Sequence, residues 1–190
     1  MRPRDNPFRS ERLDHGPYHL HGTTWSELLS RLLAHHGQCS IVGPHGAGKT
    51  RLLHELFARL QAQGAPTLLL RLDREARPAA PGPGVVVLID GLEAQPPWRR
   101  WWWSGWWRRA RAVVVARHVH GREPVLHECR PDFALTRALV DDLGGHAGAV
   151  IDDLELRALL RAHPGDLRTV LRALYDRYAA LPDDDRAQPS

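Results

Sequence analysis

Apolar residues along the chain recur at two spacings that alternate. Leu28, Leu29, Leu32 and Leu33 repeat at three- and four-residue steps, which predicts a helix with one face on a core. Thr24-Trp25-Ser26-Glu27 marks its start, because the hydroxyl and the carboxylate can each bond the other residue's backbone N–H. His35-His36-Gly37 ends it. Cys39-Ser40-Ile41-Val42 is an apolar run of strand length. Leu52, Leu53, Leu56, Phe57 and Leu60 return to helix spacing and predict a helix over residues 50–63, stopped by Gly64-Ala65-Pro66. Further strands are predicted over residues 67–72, 85–89, 112–116 and 125–129. The run Val85 to Ile89 is continuously apolar, as in a strand covered on both faces. Beyond Pro131 the pattern turns helical, with helices predicted over residues 132–143, 152–162 and 165–181.

Strands alternating with helices predict an α/β fold. Its centre is a parallel sheet of about five strands with flanking helices, followed by a small C-terminal helical lid. Residues 1–16 are polar and punctuated by proline, and read as a flexible N-terminal arm. The α/β core then spans 17–131, the lid 132–181, and a disordered tail 182–190. One link is out of proportion. Residues 73–84 are rich in proline and glycine and short for a helical crossover between parallel strands. Either a one-turn helix is squeezed in, or the strands pair differently.

The chain has 190 residues, 43% hydrophobic and 25% charged, which fits one domain with a small appendage and excludes a disordered or fibrous chain. No run of about 18 apolar residues is present, so no transmembrane helix is predicted. No apolar segment follows the first residues as in a signal peptide. Cys39 and Cys129 make no disulfide framework, and a cytoplasmic location is expected. Of the 26 basic residues, all but Lys49 are arginine. Where a guanidinium serves, this chain uses one, so Lys49 marks a place that demands a compact ammonium.

That place is a recognisable motif. Gly43, Pro44, His45, Gly46, Ala47, Gly48, Lys49 and Thr50 match the phosphate-loop pattern G-x-x-x-x-G-K-[ST] between a predicted strand and a predicted helix. The glycines let backbone N–H groups converge on an anion, and the helix N-terminus adds its positive end. Lys49 would reach the β- and γ-phosphates, and the Thr50 hydroxyl would ligate Mg²⁺. The run Val85 to Ile89 ends in Asp90, the form of a Walker B strand. A carboxylate at a buried strand end is costly unless a cation or hydrogen bonds offset it. Mg²⁺ would do so through water; a plain turn cap is the alternative.

These motifs resemble the P-loop NTPases of the AAA+ and STAND group, over about residues 20–180. Asp90-Gly91-Leu92-Glu93 is similar to the Walker B form of NACHT- and STAND-type ATPases. Many AAA+ members carry glutamate directly after the aspartate. Gly91 stands there, and Glu93 is the substitute that would orient water. The resemblance places a γ-phosphate sensor after the fourth strand, at His118 with Arg117 as the alternative; a solvated strand-end histidine is the competing reading. Gly165-Asp166-Leu167-Arg168 resembles the start of a second sensor helix, which would put Arg168 over the nucleotide; a plain helix start predicts the same residues. In a homo-oligomer, Arg122 or Arg130 would be candidates for an arginine acting across the subunit boundary. The ABC-transporter signature is absent, and the sole lysine leaves no Asn-Lys-x-Asp element, so ATP is expected rather than GTP.

Six of the seven tryptophans fall between Trp98 and Trp107, and residues 94–122 hold seven arginines and no acid. At 100° per residue those indoles spread around most of a helix, so one buried face cannot take them all. Four readings stand: a helix packed on the sheet with solvating arginines, a protein contact, nucleic acid bound through residues 98–111, or a membrane surface. His118, His120, His127 and Cys129 match no standard zinc spacing.

Together these features predict an ATP-binding, Mg²⁺-dependent ATPase. Lys49, Asp90, Glu93 and His118 would be catalytic, and nucleotide state would be coupled to a protein or nucleic-acid partner. The alternative is a nucleotide-dependent switch with little or no hydrolysis. A small-molecule kinase would need an acceptor pocket that the sequence does not reveal.

Overall fold

The computed structural model describes residues 6, 8, 18–20, 22–72, 80–144 and 151–180. Its contacts divide the chain into two units. One joins Leu20–Pro44 to Gly48–Cys129; the other gathers Met1–His19, His45–Ala47 and Arg130–Ser190.

The first unit runs α1 (Trp25–Ala34), β1 (Gly37–Val42), α2 (Lys49–Ala62), β2 (Thr67–Arg71), β3 (Val86–Asp90), a 3-10 turn (Leu92–Ala94), α3 (Pro97–Trp106), β4 (Ala112–Arg117) and β5 (Val125–Glu128). The five strands form one sheet in the order β2-β3-β4-β1-β5, and every pairing is parallel. The capping box at α1 forms as its residues dictate. Glu27 N donates to Thr24 Oγ1 at 3.2 Å, and Thr24 N donates to Glu27 Oε2 at 2.9 Å. β1 begins two residues before the apolar run, where Gly37, at φ +95°, donates its N–H to Arg111 O. The question of how β2 and β3 pair has a direct answer. They lie side by side in parallel register, Thr67 opposite Val86 through Arg71 opposite Asp90. Of the link between them, residues 73–79 lie outside the described residues, and 80–84 carry no helix.

The tryptophan-rich stretch divides between two environments. Trp103, Trp106 and Trp107 are buried against Leu70, Val87, Ile89, Val113 and Val115. Trp102 and Trp103 meet edge-to-face, as do Trp103 and Trp106, at ring separations of 5.4 and 5.2 Å. Trp98 and Trp101 are 68% and 79% exposed. The packed-helix reading holds for half of the stretch. The overflow of indoles to the surface follows from their angular spread.

The second unit contains α4 (Phe133–Gly144), α5 (Asp153–Ala162) and α6 (Leu167–Ala180). Val140, Ile151, Leu156, Val170, Leu171, Leu174 and Tyr178 form its core. Asp132 and Asp152 accept from backbone N–H groups at the starts of α4 and α5. Phe8 belongs to the same core and meets Tyr178 edge-on at 6.0 Å, while Asn6 Nδ2 donates to Tyr175 O at 2.9 Å. Within the expected loose arm 1–16, therefore, both described residues are buried, because Phe8 is an apolar anchor in a polar segment. The expected tail 182–190 lies outside the described residues. Among the described residues no helix is long and apolar enough to cross a membrane.

Candidate functional site

In a parallel sheet all strands end on the same edge. β3, β4 and β1 are neighbours, so Asp90, the segment after Arg117, and the loop after Val42 emerge side by side. Gly43 N donates to Arg117 O at 3.1 Å, which ties the start of the loop to the end of β4. Gly48 then takes φ +88°, a left-handed conformation that favours glycine, and opens α2 at Lys49.

Lys49 is 8% exposed. Its Nζ donates to Gly43 O at 2.6 Å and Pro44 O at 2.7 Å, and lies 3.0 Å from His118 Nδ1. An ammonium can only donate, so Nδ1 accepts and the ring hydrogen sits on Nε2. That nitrogen faces Glu93 Oε2 at 3.6 Å, too long for a hydrogen bond, while His118 backbone N donates to the same oxygen at 2.7 Å. Burial holds the Lys49 ammonium below its ordinary pKa, against the raising influence of Cys129, Glu93 and Asp90. Beside it, Thr50 Oγ1 donates to Asp90 Oδ2 at 2.7 Å. Lys49, His118 and Glu93 form one polar group at the strand ends and Thr50 with Asp90 a second, and the charge of Asp90 acts on Lys49.

Two local features shape these groups. Gly91 has φ +78° and starts the 3-10 turn Leu92–Ala94. The chain bends at Gly91, and the turn delivers Glu93 to the His118 amide. Arg117, the alternative sensor, is instead paired with Glu123. Glu123 was not singled out in the sequence. Its spacing of six residues from Arg117 across a loop carries no periodic signal.

Arg168 lies in the first turn of α6, on an exposed position in the second unit. The loop tip His45–Ala47 groups with that unit, and there Gly46 is bordered by Asp166 Oδ1 and the Arg168 Cβ. Gly46 has φ +72° and a Cβ on it would strike the Asp166 carboxylate. Asp166 accepts from Thr169 N at 3.0 Å and Thr169 Oγ1 at 2.8 Å. Burial alone would raise its pKa, but the bonds from Thr169 hold it below the ordinary carboxylate value. Sequence reasoning read Asp166 only as a helix start; its nearness to Gly46 had no signal along the chain. Cys39 is buried, which pushes its thiol up to about 12, with Glu123 adding and Arg31 opposing. It is an inert core group.

The donor set suits a magnesium nucleotide. A hydroxyl and a carboxylate oxygen in contact are hard ligands of the kind Mg²⁺ takes, and a buried ammonium stands beside them.

No protein-family model and no curated protein sequence matches the chain. Solved structures do. A DNA replication initiation factor and the replication initiator DnaA bound to AMPPCP and single-stranded DNA each align with TM-score 0.53 and 12% identity, covering 78% of this chain and 57% of theirs. NtrX from Brucella abortus aligns with TM-score 0.53 and 15% identity over 88% of this chain and 54% of its own. The chain therefore spans just over half the length of the structures it matches. It has the α/β fold of AAA+ ATPases, with a five-stranded parallel sheet and C-terminal helices.

Proposed function

We propose that this chain binds ATP with Mg²⁺ at residues 43–50 and hydrolyses it, coupling nucleotide state to a protein or nucleic-acid partner. The observation that carries the reading is the 2.7 Å bond between Thr50 Oγ1 and Asp90 Oδ2, which joins the phosphate loop to the end of β3. A matching DnaA chain holds AMPPCP, an ATP analogue, which supports the choice of nucleotide.

The backbone N–H groups of residues 43–50 and the N-terminus of α2 would cradle the phosphates. Lys49 would exchange its bonds to the Gly43 and Pro44 carbonyls for phosphate oxygens. Thr50 and Asp90 would hold Mg²⁺, which supplies charge neutralisation at the β- and γ-phosphates. Glu93 would orient the attacking water, and His118, between Lys49 and Glu93, would sense the γ-phosphate. Arg168 would report nucleotide state to the helical unit. In a homo-oligomer, Arg122 or Arg130 could act across the boundary.

A second reading is a switch that binds ATP without turnover. It is favoured by Gly91 in place of glutamate and by the engagement of Glu93 with the His118 amide. Calorimetric titration with Mg·ATP tests the shared premise. Lys49→Ala should weaken binding by at least about tenfold, the scale of a charged hydrogen bond. Unchanged affinity would remove the phosphate site. Steady-state turnover then separates the two readings. Turnover in the wild type that Glu93→Gln abolishes supports the ATPase. No turnover in either protein, with ATP still bound, supports the switch.

A further inference from the structure

A cleft of about 550 Å³ opens at the sheet edge where β1 and β4 begin, walled by Gly37, Gln38, Trp101, Trp102, Trp107 and Arg108. Its volume lies within the range of about 300–1,000 Å³ usual for ligand sites. The phosphate loop follows the last residue of β1 and the cleft borders the first two, so the two are roughly 17 Å apart along the strand.

Gly105 also lines the cleft, from inside α3. Glycine weakens a helix relative to alanine. Here neither conformation nor packing asks for it, because its φ is not positive and a Cβ would meet nothing within 4 Å. The missing side chain leaves that wall of the cleft open.

Arg108 lines the cleft, Arg99, Arg100 and Arg109 are exposed on α3 and just after it, and residues 94–122 contain no acid. Arg99 and Arg100 bond to Gln95 at 3.2 and 2.9 Å, using few of the five N–H donors each guanidinium carries. Trp98 and Trp101 stand exposed three residues apart on the same helix. Cationic charge alone suits any polyanion, and exposed indoles alone suit any apolar partner. Both along one segment that borders a cleft suit a chain in which flat rings alternate with phosphates.

We propose that this cleft and the adjoining face of α3 bind single-stranded nucleic acid. A base stacks on Trp101 and Trp102 in the cleft, whose wall the buried Trp107 completes, and phosphates pair with Arg99, Arg100, Arg108 and Arg109. A duplex keeps its base faces covered and cannot stack in this way. An acidic peptide brings charge without a regular supply of rings, and a membrane surface has no use for a concave cleft. The proposal names a partner for the ATP-binding reading above. It is tested without nucleotide, so the failure of either leaves the other standing.

The measurement is fluorescence anisotropy of a dye-labelled oligothymidylate of about 16 nucleotides. Saturable binding is expected at about 50 mM salt, weakening about sevenfold on doubling the salt if four phosphates are paired. Trp101→Ala removes an exposed side chain and should weaken binding about 5- to 150-fold. Gly105→Leu fills the cleft while favouring the helix, and should weaken binding with the circular dichroism spectrum unchanged. The proposal is overturned by absence of binding at about 50 mM salt, or by wild-type affinity in both variants. It is equally overturned by tighter binding to the matching duplex, to a glutamate–tyrosine copolymer or to phosphatidylserine vesicles.

Discussion

Installing at position 91 the glutamate that many AAA+ proteins carry should harm this chain. Gly91 has φ +78°, and the turn it makes is continued by Ala94 N donating to Gly91 O at 3.2 Å and by Leu92–Ala94. A side chain in the left-handed region costs about 1–2 kcal/mol. For a chain of this size, that lowers the melting temperature by about 2–8 °C. All seven tryptophans lie in the sheet unit, so tryptophan fluorescence during heating reports on the unit that contains the turn. Gly91→Glu and Gly91→Ala should lose about the same stability, since the strain is in the backbone. Gly91→Asn should lose less, because asparagine tolerates this conformation better. Turnover in Gly91→Glu should not exceed that of the wild type, because relaxing the strain unwinds the turn that carries Glu93 to the His118 amide. A Gly91→Glu protein that melts with the wild type and hydrolyses ATP faster would refute this account of the departure at 91.

Two further outcomes follow from burial and charge. Trp103→Ala empties a core position that is 6% exposed and should cost about 3–5 kcal/mol. Trp98→Ala, at 68% exposed, should stay within about 0.5 kcal/mol in the same denaturation assay; equal losses would contradict the packing of α3. Burial lowers the folded-state pKa of Lys49 below its ordinary value of 10.5, so in that window the unfolded chain binds more protons. The stability of the wild type relative to Lys49→Met should therefore rise as pH increases from the lowered value toward 10.5, in paired urea titrations without nucleotide. A relative stability that falls with pH would contradict the burial of the ammonium.

Much of the candidate site was legible because its signals are short. The eight residues from Gly43 to Thr50 are contiguous, and Asp90 closes an unbroken apolar run. The roles of Gly91 and Glu93 were half legible. The substitution could be seen, but that a left-handed turn occupies position 91 and aims Glu93 at His118 could not. Between Arg117 and His118 the sequence favoured His118, and the pairing of Arg117 with Glu123 had no signal along the chain. The burial of Phe8 in the helical unit was hidden because a single aromatic residue in a polar segment has no period.

The amino-acid sequence by itself determined the elements, their alternation and the glycine-rich motif of residues 43–50, since these depend on residues within one turn or one strand of each other. Only the tertiary structure decided the strand order, the direct pairing of β2 with β3, and which tryptophans are covered. It alone joined Thr50 to Asp90 across 40 positions, Glu93 to His118 across 25 and Lys49 to His118 across 69. The physical reason is range. Backbone propensity and amphipathic spacing act between near neighbours along the chain, whereas a buried charge finds its partners wherever the folded sheet brings strand ends together.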